Sequence, residues 1–179
     1  MLARAFGDDP VMSWMFPAAA GRVSKNERFF RQRVRSVLAQ EEVYTTDDYA
    51  GAAVWCVPER WEVPPLEGLW FGLRVLPLVR TRAPVLLRGW SQVEDAHPRE
   101  PHYYLAILGT EPDLQGRGVG SALLEPVLEG CDRDEIPAYL ESSRERNFAF
   151  YARHGFRVTG ELQLPEGPPI WPMWRDPRP

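Results

Sequence analysis

The sequence lacks an apolar run close to the roughly 20 residues that a membrane-spanning helix requires. It also lacks a basic excess, because 21 Lys and Arg residues against 25 Asp and Glu give a formal net charge of −4. That balance argues against a nucleic-acid-binding surface. The apolar stretch in residues 1–6 is too short for a signal peptide, and polar residues follow it too soon. We therefore expect a cytoplasmic protein that binds neither membranes nor nucleic acid.

Cysteine and histidine are scarce. The two cysteines, Cys56 and Cys131, lie far apart without Cys-x-x-Cys spacing, which favours buried free thiols over a disulfide. The histidines His97, His102 and His154 show no metal-ligand spacing, so no metal is expected. A chain of 179 residues with 44% hydrophobic residues is typical of one globular domain, here residues 1–179.

Apolar periodicity and turn residues predict alternating helices and strands. Helices are predicted at residues 2–6, 22–40, 66–76, 85–94, 118–130 and 146–154. Strands are predicted at residues 42–46, 51–57, 103–108, 137–142, 156–162 and 169–174. The last strand is expected at a sheet edge, because Pro172 has no N–H to donate. The second half thus indicates an α/β or α+β sheet domain.

A glycine-rich turn follows the apolar run at residues 103–108 and opens a predicted helix. It reads Gln115-Gly116-Arg117-Gly118-Val119-Gly120-Ser121. Helix N-termini leave about four backbone N–H groups unpaired, and glycines let a backbone approach an anion closely, so the turn suits a pyrophosphate.

Two other phosphate-binding motifs fit this turn less well. A Walker loop needs Gly-Lys-Ser/Thr, which is absent, and a dinucleotide-binding fold needs the glycine turn after its first strand. That fold also needs an acid after its second strand, whereas Glu135 precedes one. A glycine-rich turn without a ligand stays a third alternative.

A second motif lies downstream, where Asn147 and Tyr151 form Asn-x-x-x-Tyr on a predicted helix that is followed by Gly155-Phe156. Together with Gln-x-x-Gly-x-Gly, in this order and at this separation, it resembles the GNAT superfamily of acetyl-CoA-dependent N-acetyltransferases. The resemblance is strongest over residues 99–175 and is closest to the branch that contains puromycin N-acetyltransferase.

The resemblance implies a GNAT fold, which is a mixed, mostly antiparallel central sheet flanked by helices. The family's first strand and most of its first helix would precede Ala5, so we expect an amino-terminally shortened chain that lacks the usual first strand. Such a chain would expose a sheet edge and apolar surface. We therefore expect lower stability or compensating self-association into a homodimer.

The resemblance also assigns residues to the site of acetyl-CoA, which would act as co-substrate. The strand before the loop should carry a bulge and splay from its neighbour, which admits the pantetheine arm. Tyr151 is the implied general acid that protonates the departing CoA thiolate, and the N–H of Leu108 is a candidate oxyanion donor. The implied cofactor-binding residues are Leu108, Gly109, Thr110, Gln115, Gly116, Arg117, Gly118, Val119, Gly120, Ser121, Asn147 and Tyr151.

The general base is open between several candidates. Glu141 shares a strand face with Tyr139 and Ser143, so it is predicted as a catalytic base, although pairing with an arginine would explain it as well. Asp8 and Asp9 are further candidates whose alternative is capping, and a water chain is another. We expect acetyl transfer to a primary amine of a small-molecule acceptor. The alternatives are an acyl-CoA-binding sensor or inactive relative and, less favoured, a protein acetyltransferase.

Overall fold

A computed structural model describes residues 1–37, 42–60 and 65–178. Its α-helices are α1 (Leu2–Ala5), α2 (Pro10–Met15), α3 (Arg22–Val37), α4 (Pro65–Val79), α5 (Ala83–Ala96), α6 (Val119–Arg133) and α7 (Phe148–Arg153). Its strands are β1 (Glu42–Thr45), β2 (Gly51–Cys56), β3 (Tyr103–Thr110), β4 (Ala138–Ser142), β5 (Arg157–Val158), β6 (Leu162–Gln163) and β7 (Pro169–Arg175). Short 3₁₀ turns lie at Arg80–Arg82, Pro112–Leu114 and Glu145–Asn147.

The strands form one open seven-stranded sheet in the order β1-β2-β3-β4-β7-β5, with β6 also paired to β7. The pairing of β3 with β4 is parallel, and the other pairings in the described residues are antiparallel. The predicted mixed, mostly antiparallel sheet flanked by helices is therefore confirmed. None of the described helices combines the length and apolar character needed to span a bilayer.

Helices cover both faces of the sheet and form a separate hydrophobic core on each face. Successive side chains of β2 point alternately into the two cores. Val54 points into a first core with residues of α2, α3, α4 and α5, whereas its neighbours Ala53 and Trp55 point into a second core with α6 and α7. Successive side chains of a strand point to opposite faces, so a strand covered on both sides is apolar throughout. Each residue of β2 is accordingly buried.

The structure corrects two predictions about the carboxyl-terminal strands. The last strand, β7, is not an edge strand, because it lies between β4 and β5. Pro172 is tolerated there since it lies opposite Glu141 while its carbonyl accepts a hydrogen bond from the Thr159 N–H at 2.9 Å. The single strand predicted at residues 156–162 is two short strands, β5 and β6, separated around Gly160. The predicted helix at residues 22–40 is confirmed as far as Val37, and its last residues lie outside the described ranges.

Candidate active site

A gap opens in the middle of the sheet between the parallel strands β3 and β4. The two strands pair only at their starts, where Tyr103 lies opposite Ala138 and Tyr104 lies opposite Tyr139. Beyond these pairs, and among the residues that the structure describes, β3 pairs with β2 alone and β4 with β7 alone. The gap therefore leaves one edge of β3, including Leu108, Gly109 and Thr110, without a strand partner on the β4 side.

A bulge in β3 accompanies the gap. Val54 of β2 lies opposite Ile107, whereas the next residue, Trp55, lies opposite Leu105, so Ala106 is the extra residue. A bulge bends its strand and increases the local twist. The predicted bulge and splay of the strand before the glycine loop are thus both present.

The glycine-rich loop presents a concentration of unpaired amides. Gly116 and Gly118 have φ of 76° and 86°, a left-handed conformation that side-chain-bearing residues rarely adopt. A Cβ at either position would meet nothing within 4 Å, so the backbone conformation alone requires glycine there. The N–H groups of Gly116, Arg117 and Gly118 donate to no acceptor in the described part of the chain.

The helix that follows adds further donors. Gly118 is the N-cap of α6, and the first hydrogen bond of the helix runs from the Ala122 N–H to the Gly118 carbonyl at 3.0 Å. The amides of the first turn before Ala122 therefore remain unpaired within the helix. Consecutive free N–H groups at a helix N-terminus, with the positive end of the helix dipole, fit a pyrophosphate.

Gly120 has a packing role that brings α6 against α7. A Cβ at Gly120 would lie 3.1 Å from Cζ of Phe150, a contact tighter than side chains ordinarily make. The next residue, Ser121, places its Oγ 2.9 Å from Nε2 of His154, just after α7. The loop and the helix that carries Tyr151 are thus fixed side by side.

Tyr151 lies on α7 in the second core and is 8% exposed. Its ring packs edge-on against Phe150 and Phe156, with centroids 5.1 and 5.9 Å away. Its hydroxyl donates to no acceptor among the described residues. Burial raises the pKa of Tyr151, and the nearby carboxylate of Asp9 raises it further. The side chain is therefore a phenol at neutral pH, the form that can donate a proton.

Asn147 ends the 3₁₀ turn before α7, and its half-buried carboxamide bonds to none of the described residues. Its backbone N–H donates to the Arg144 carbonyl at 3.1 Å, which holds the turn together. The position at the start of the Tyr151 helix leaves the side chain available to a ligand, and contact with pantetheine stays a prediction.

Asp9 is a capping residue. Its Oδ1 accepts the N–H groups of Val11 and Met12 at 2.9 and 3.1 Å at the start of α2, and its Oδ2 accepts the hydroxyl of Ser143. Because both carboxylate oxygens are occupied, the arrangement favours capping over a role as base. The bond to Ser143, directly after β4, also anchors α2 at the end of that strand.

Glu141 extends from β4 on the same face as Tyr139 and borders the gap two residues after the last β3–β4 pair. Its side chain is 9% exposed, and its Oε1 lies 3.6 Å from Nδ1 of His97 at the end of α5. Oε1 is buried and accepts no hydrogen bond within the described ranges. Burial raises the pKa of Tyr104 and of Tyr139, and the Glu141 charge raises both further, so both are phenols.

Sequence reasoning missed the two histidines behind Glu141, which it weighed only as metal ligands. His97 and His102 are 6% and 2% exposed, and their Nε2 atoms lie 3.0 Å apart. The Nδ1 atom of His102 lies 2.6 Å from the Glu100 carbonyl oxygen. No sequence signal connected them with Glu141, because the pairing of β3 with β4 that brings them together is not specified by spacing. In the described part of the chain, no group of three or more metal-ligating side chains could hold a metal ion.

Trp14 of α2 joins two segments on the Glu141 side of the gap. Its Nε1–H donates to the Pro165 carbonyl at 2.9 Å, in the turn between β6 and β7. A Cβ at Gly89 of α5 would lie 2.5 Å from the indole, and one at Gly167 would lie 2.6 Å from it. The indole therefore fills the space between α5 and this turn, and it holds the two together over the first core.

Comparison with known proteins supports one family. Residues 93–176 match the family model described as an acetyltransferase (GNAT) domain. An uncharacterised N-acetyltransferase of Schizosaccharomyces pombe is 29% identical over 183 residues, which cover 91% of this chain and 70% of that protein. A mycothiol acetyltransferase of Propionibacterium freudenreichii is 36% identical over 95 residues, which cover 50% of this chain and only 30% of that protein.

The fold has a counterpart among solved structures. A Corynebacterium glutamicum crystal structure, described as histone acetyltransferase HPA2 and related acetyltransferase, superposes with a TM-score of 0.71. The match covers 99% of this chain and 88% of that one at 23% identity, so it shows the fold alone. The link to the puromycin N-acetyltransferase branch is not tested by these matches and stays a prediction.

The matched domain contains the glycine loop, both strands that border the gap and the helix that carries Tyr151. GNAT domains generally bind acetyl-CoA, and the free amides of the loop and the unpaired edge of β3 fit that co-substrate. The family model, the N-acetyltransferase relatives and the sheet topology agree. The acetyltransferase (GNAT) domain matched in this chain spans residues 93–176, and the sheet that contains it has the GNAT fold.

Proposed function

We propose that this chain transfers the acetyl group of acetyl-CoA to a primary amine of a small-molecule acceptor, by direct attack of the amine on the thioester. One observation carries the proposal. A gap in the sheet is bordered by a loop of free amides and by a helix bearing a buried phenol, and the contact of Gly120 with Phe150 fixes that loop and helix together. An activated acyl donor with a diphosphate handle fits these features.

The chain would bind acetyl-CoA mainly through its backbone. The N–H groups of residues 115–121 would hold the pyrophosphate, and the free edge of Leu108, Gly109 and Thr110 would pair with the pantetheine amides. Asn147 would add a side-chain contact. Because backbone donors are fixed before binding, they lose little conformational freedom when the ligand arrives.

Each chemical task has a candidate residue. The amine must lose a proton, since an amine with a pKa near that of lysine is mostly protonated at pH 7. Glu141 would accept that proton, and Tyr151 would donate its hydroxyl proton to the departing thiolate sulfur. A positioned acid contributes on the order of 10²–10⁴ in rate. A backbone N–H of the bulged strand, that of Leu108, would stabilise the oxyanion.

Two features support a small amine as acceptor. The Glu141 carboxylate borders the gap and offers a negative charge to an ammonium group. On the same face of the sheet, the Trp14 contact joins α5 to the turn between β6 and β7, and this bridge would narrow the approach of a protein acceptor. A protein acceptor would need an open groove there.

A pair of tyrosine variants tests the proposal. Tyr151→Phe and the control variant Tyr103→Phe each remove one hydroxyl. Tyr103 lies at the start of β3, where β3 is paired with β4 and the gap has not opened. Thiol release from acetyl-CoA is followed with a panel of amines. We expect Tyr151→Phe to lower kcat by about 10²–10⁴ while calorimetric acetyl-CoA binding is retained, with Tyr103→Phe unchanged.

The other outcomes are equally informative. Full turnover by Tyr151→Phe would remove the phenol from the mechanism. A wild-type protein that binds acetyl-CoA without turnover on any amine would instead support the acyl-CoA-binding sensor. Absence of any binding heat would overturn the assignment of the glycine loop.

A further inference from the structure

We propose that two copies of this chain pair through the outward faces of their α4 helices, which run antiparallel across a two-fold axis. The proposed surface belongs to a helix that packs on the first core, so it differs from the exposed sheet edge at which the sequence leads us to expect self-association. The inference concerns assembly and does not rest on the proposed acetyl transfer.

The α4 helix is apolar on two opposite faces. Its inward face contributes Val75 and Leu78 to the first core, and Phe71 packs against that core. A surface helix ordinarily presents polar residues to water, whereas a helix that is apolar all round is a buried one. The outward face of α4 nevertheless carries large apolar side chains that are about half to two-thirds exposed: Leu66 (66%), Leu69 (58%), Trp70 (54%), Leu73 (51%) and Leu76 (48%). This face therefore has the composition of a covered surface.

The four outward leucines of α4, which we call the leucine seam, have the spacing of a coiled coil. Their separations of three, four and three residues place them at the a and d positions of two heptads. The inward residues Phe71, Val75 and Leu78 occupy f, c and f positions, on the opposite side of the helix. In a coiled coil, each a or d residue inserts between four side chains of a facing helix. The pattern therefore favours another helix as the partner.

The leucine seam is complementary to itself when one copy is reversed. A two-fold axis at the level of Phe71 places Leu69 opposite Leu73 of the partner subunit. The same axis places Leu66 opposite Leu76 of the partner subunit, so each a position faces a d position. A second copy of this chain supplies the required surface by symmetry, because a two-fold interface uses the same patch on both subunits.

Charge favours the antiparallel orientation. Arg80 follows α4 directly and is exposed. A parallel pair would place the Arg80 guanidinium groups of both copies side by side and would align two helix dipoles. In the antiparallel pair, the length of α4 separates these groups by more than about 20 Å, which exceeds the screening length of about 8 Å at physiological salt. The helix dipoles then run in opposite directions.

The outward face is large enough for a weak dimer. Its five exposed side chains offer about 500–600 Å² on each copy, so a pair would bury about 1,000–1,200 Å² in total. A specific interface needs at least about 1,000 Å², and a standard one buries about 1,600 Å². We therefore expect a dimer that depends on protein concentration, with a dissociation constant in the micromolar range.

A lipid surface fits this face less well. Helices that lie in a membrane interface combine a broad apolar face with a polar face rich in Lys and Arg. The side of α4 opposite the leucine seam is instead packed into the first core. The net charge of −4 also opposes attraction to the anionic lipids of a membrane surface.

Sedimentation velocity over a range of protein concentrations tests the inference. Leu73→Glu places a charge near the centre of the leucine seam and, by symmetry, twice in each dimer. We expect it to raise the dissociation constant at least about 100-fold. The matched control is Val158→Glu, which adds the same charge at an exposed apolar position of the edge strand β5 and should dimerise as the wild type does. Melting temperatures of the monomers identify a variant that fails to fold.

Disulfide cross-linking tests the orientation without adding a charge. Both native cysteines are buried and should not compete for oxidation. Chains with Leu69→Cys are mixed with chains with Leu73→Cys and are oxidised with copper phenanthroline. The mixture should cross-link far more completely than either variant alone, because only the unlike positions face each other closely enough for a disulfide.

Four results would overturn the proposal. They are a wild type that stays monomeric at high concentration, a dimer that persists in folded Leu73→Glu, a dimer that is lost equally in Val158→Glu, and cross-linking of Leu69→Cys alone that equals that of the mixture. Cosedimentation of the wild type with vesicles of phosphatidylcholine and phosphatidylserine, lost in Leu73→Glu, would assign the face to a membrane instead and would likewise contradict pairing between copies.

Discussion

Replacing Gly118 with alanine is expected to weaken acetyl-CoA binding about 5- to 30-fold while changing the fold little. Gly118 has φ of 86°, and a Cβ there would touch nothing within 4 Å. The whole cost is therefore backbone strain, about 1–2 kcal/mol for a residue with a side chain in the left-handed region. At 1.4 kcal/mol for each factor of ten, this energy corresponds to the stated range.

The strain appears either in folding or in binding. If the loop keeps its shape, the free energy of unfolding falls by about 1–2 kcal/mol and affinity is preserved. If the loop relaxes, stability is preserved and affinity falls. Because residues 115–118 are exposed and loosely packed, we expect relaxation. Calorimetry with acetyl-CoA measures the affinity, and chemical denaturation of the same protein measures the free energy of unfolding.

Two further glycines serve as controls. Gly160→Ala also adds a Cβ that meets nothing within 4 Å, but without a left-handed φ, so neither quantity should change. Gly120→Ala places its Cβ 3.1 Å from Phe150 and should lower stability by pushing α6 from α7. Unchanged affinity and unchanged stability in Gly118→Ala would refute the assignment of the loop conformation to ligand binding.

Three more predictions concern stability. Asp132 accepts a hydrogen bond from buried Arg175 at 2.7 Å, and this bond lowers the pKa of Asp132. The contribution of Asp132 to the free energy of unfolding is therefore present above a pH of about 4 and is lost as the pH falls. Asp132→Asn keeps an acceptor oxygen but removes the charge, and it should lower the free energy of unfolding by about 1–3 kcal/mol in denaturant titrations at pH 7. Burial lowers the pKa of His102, so the unfolded chain binds its proton first and stability should decrease as pH falls through about 6.5, a dependence that His102→Gln should reduce. Asp9→Ala removes the α2 cap and should lower stability by about 0.5–2 kcal/mol in thermal melts, whereas Asp9→Asn should retain most of it.

Features encoded over short stretches of sequence were predictable. The loop and α6 follow from glycines and apolar periodicity within one segment, and the left-handed conformations of Gly116 and Gly118 are the kind that only glycine adopts readily. Asp9 is followed by Pro10, a residue suited to the first turn of a helix, so the capping alternative was visible in the sequence.

Features that depend on pairing between distant segments were not predictable. Pro172 indicates an edge strand by itself, yet β7 has neighbours on both sides because β5 and β6 are short enough to share it. Likewise, His97 meets Glu141 only because β3 and β4 are parallel and aligned at their starts, which places the end of α5 beside β4. No spacing in the sequence specifies that register.

The two-residue contact between β3 and β4 has a mechanical consequence. On one side lie β1, β2 and β3, and on the other lie β4, β5, β6 and β7. Within residues 1–37, 42–60 and 65–178, strand pairing joins these halves only where β3 and β4 start. A molecule bonded along the free edge of β3 would act as a missing strand and brace the halves against each other. Amide hydrogen exchange in the paired residues of β3 and β4 should then slow when the ligand binds.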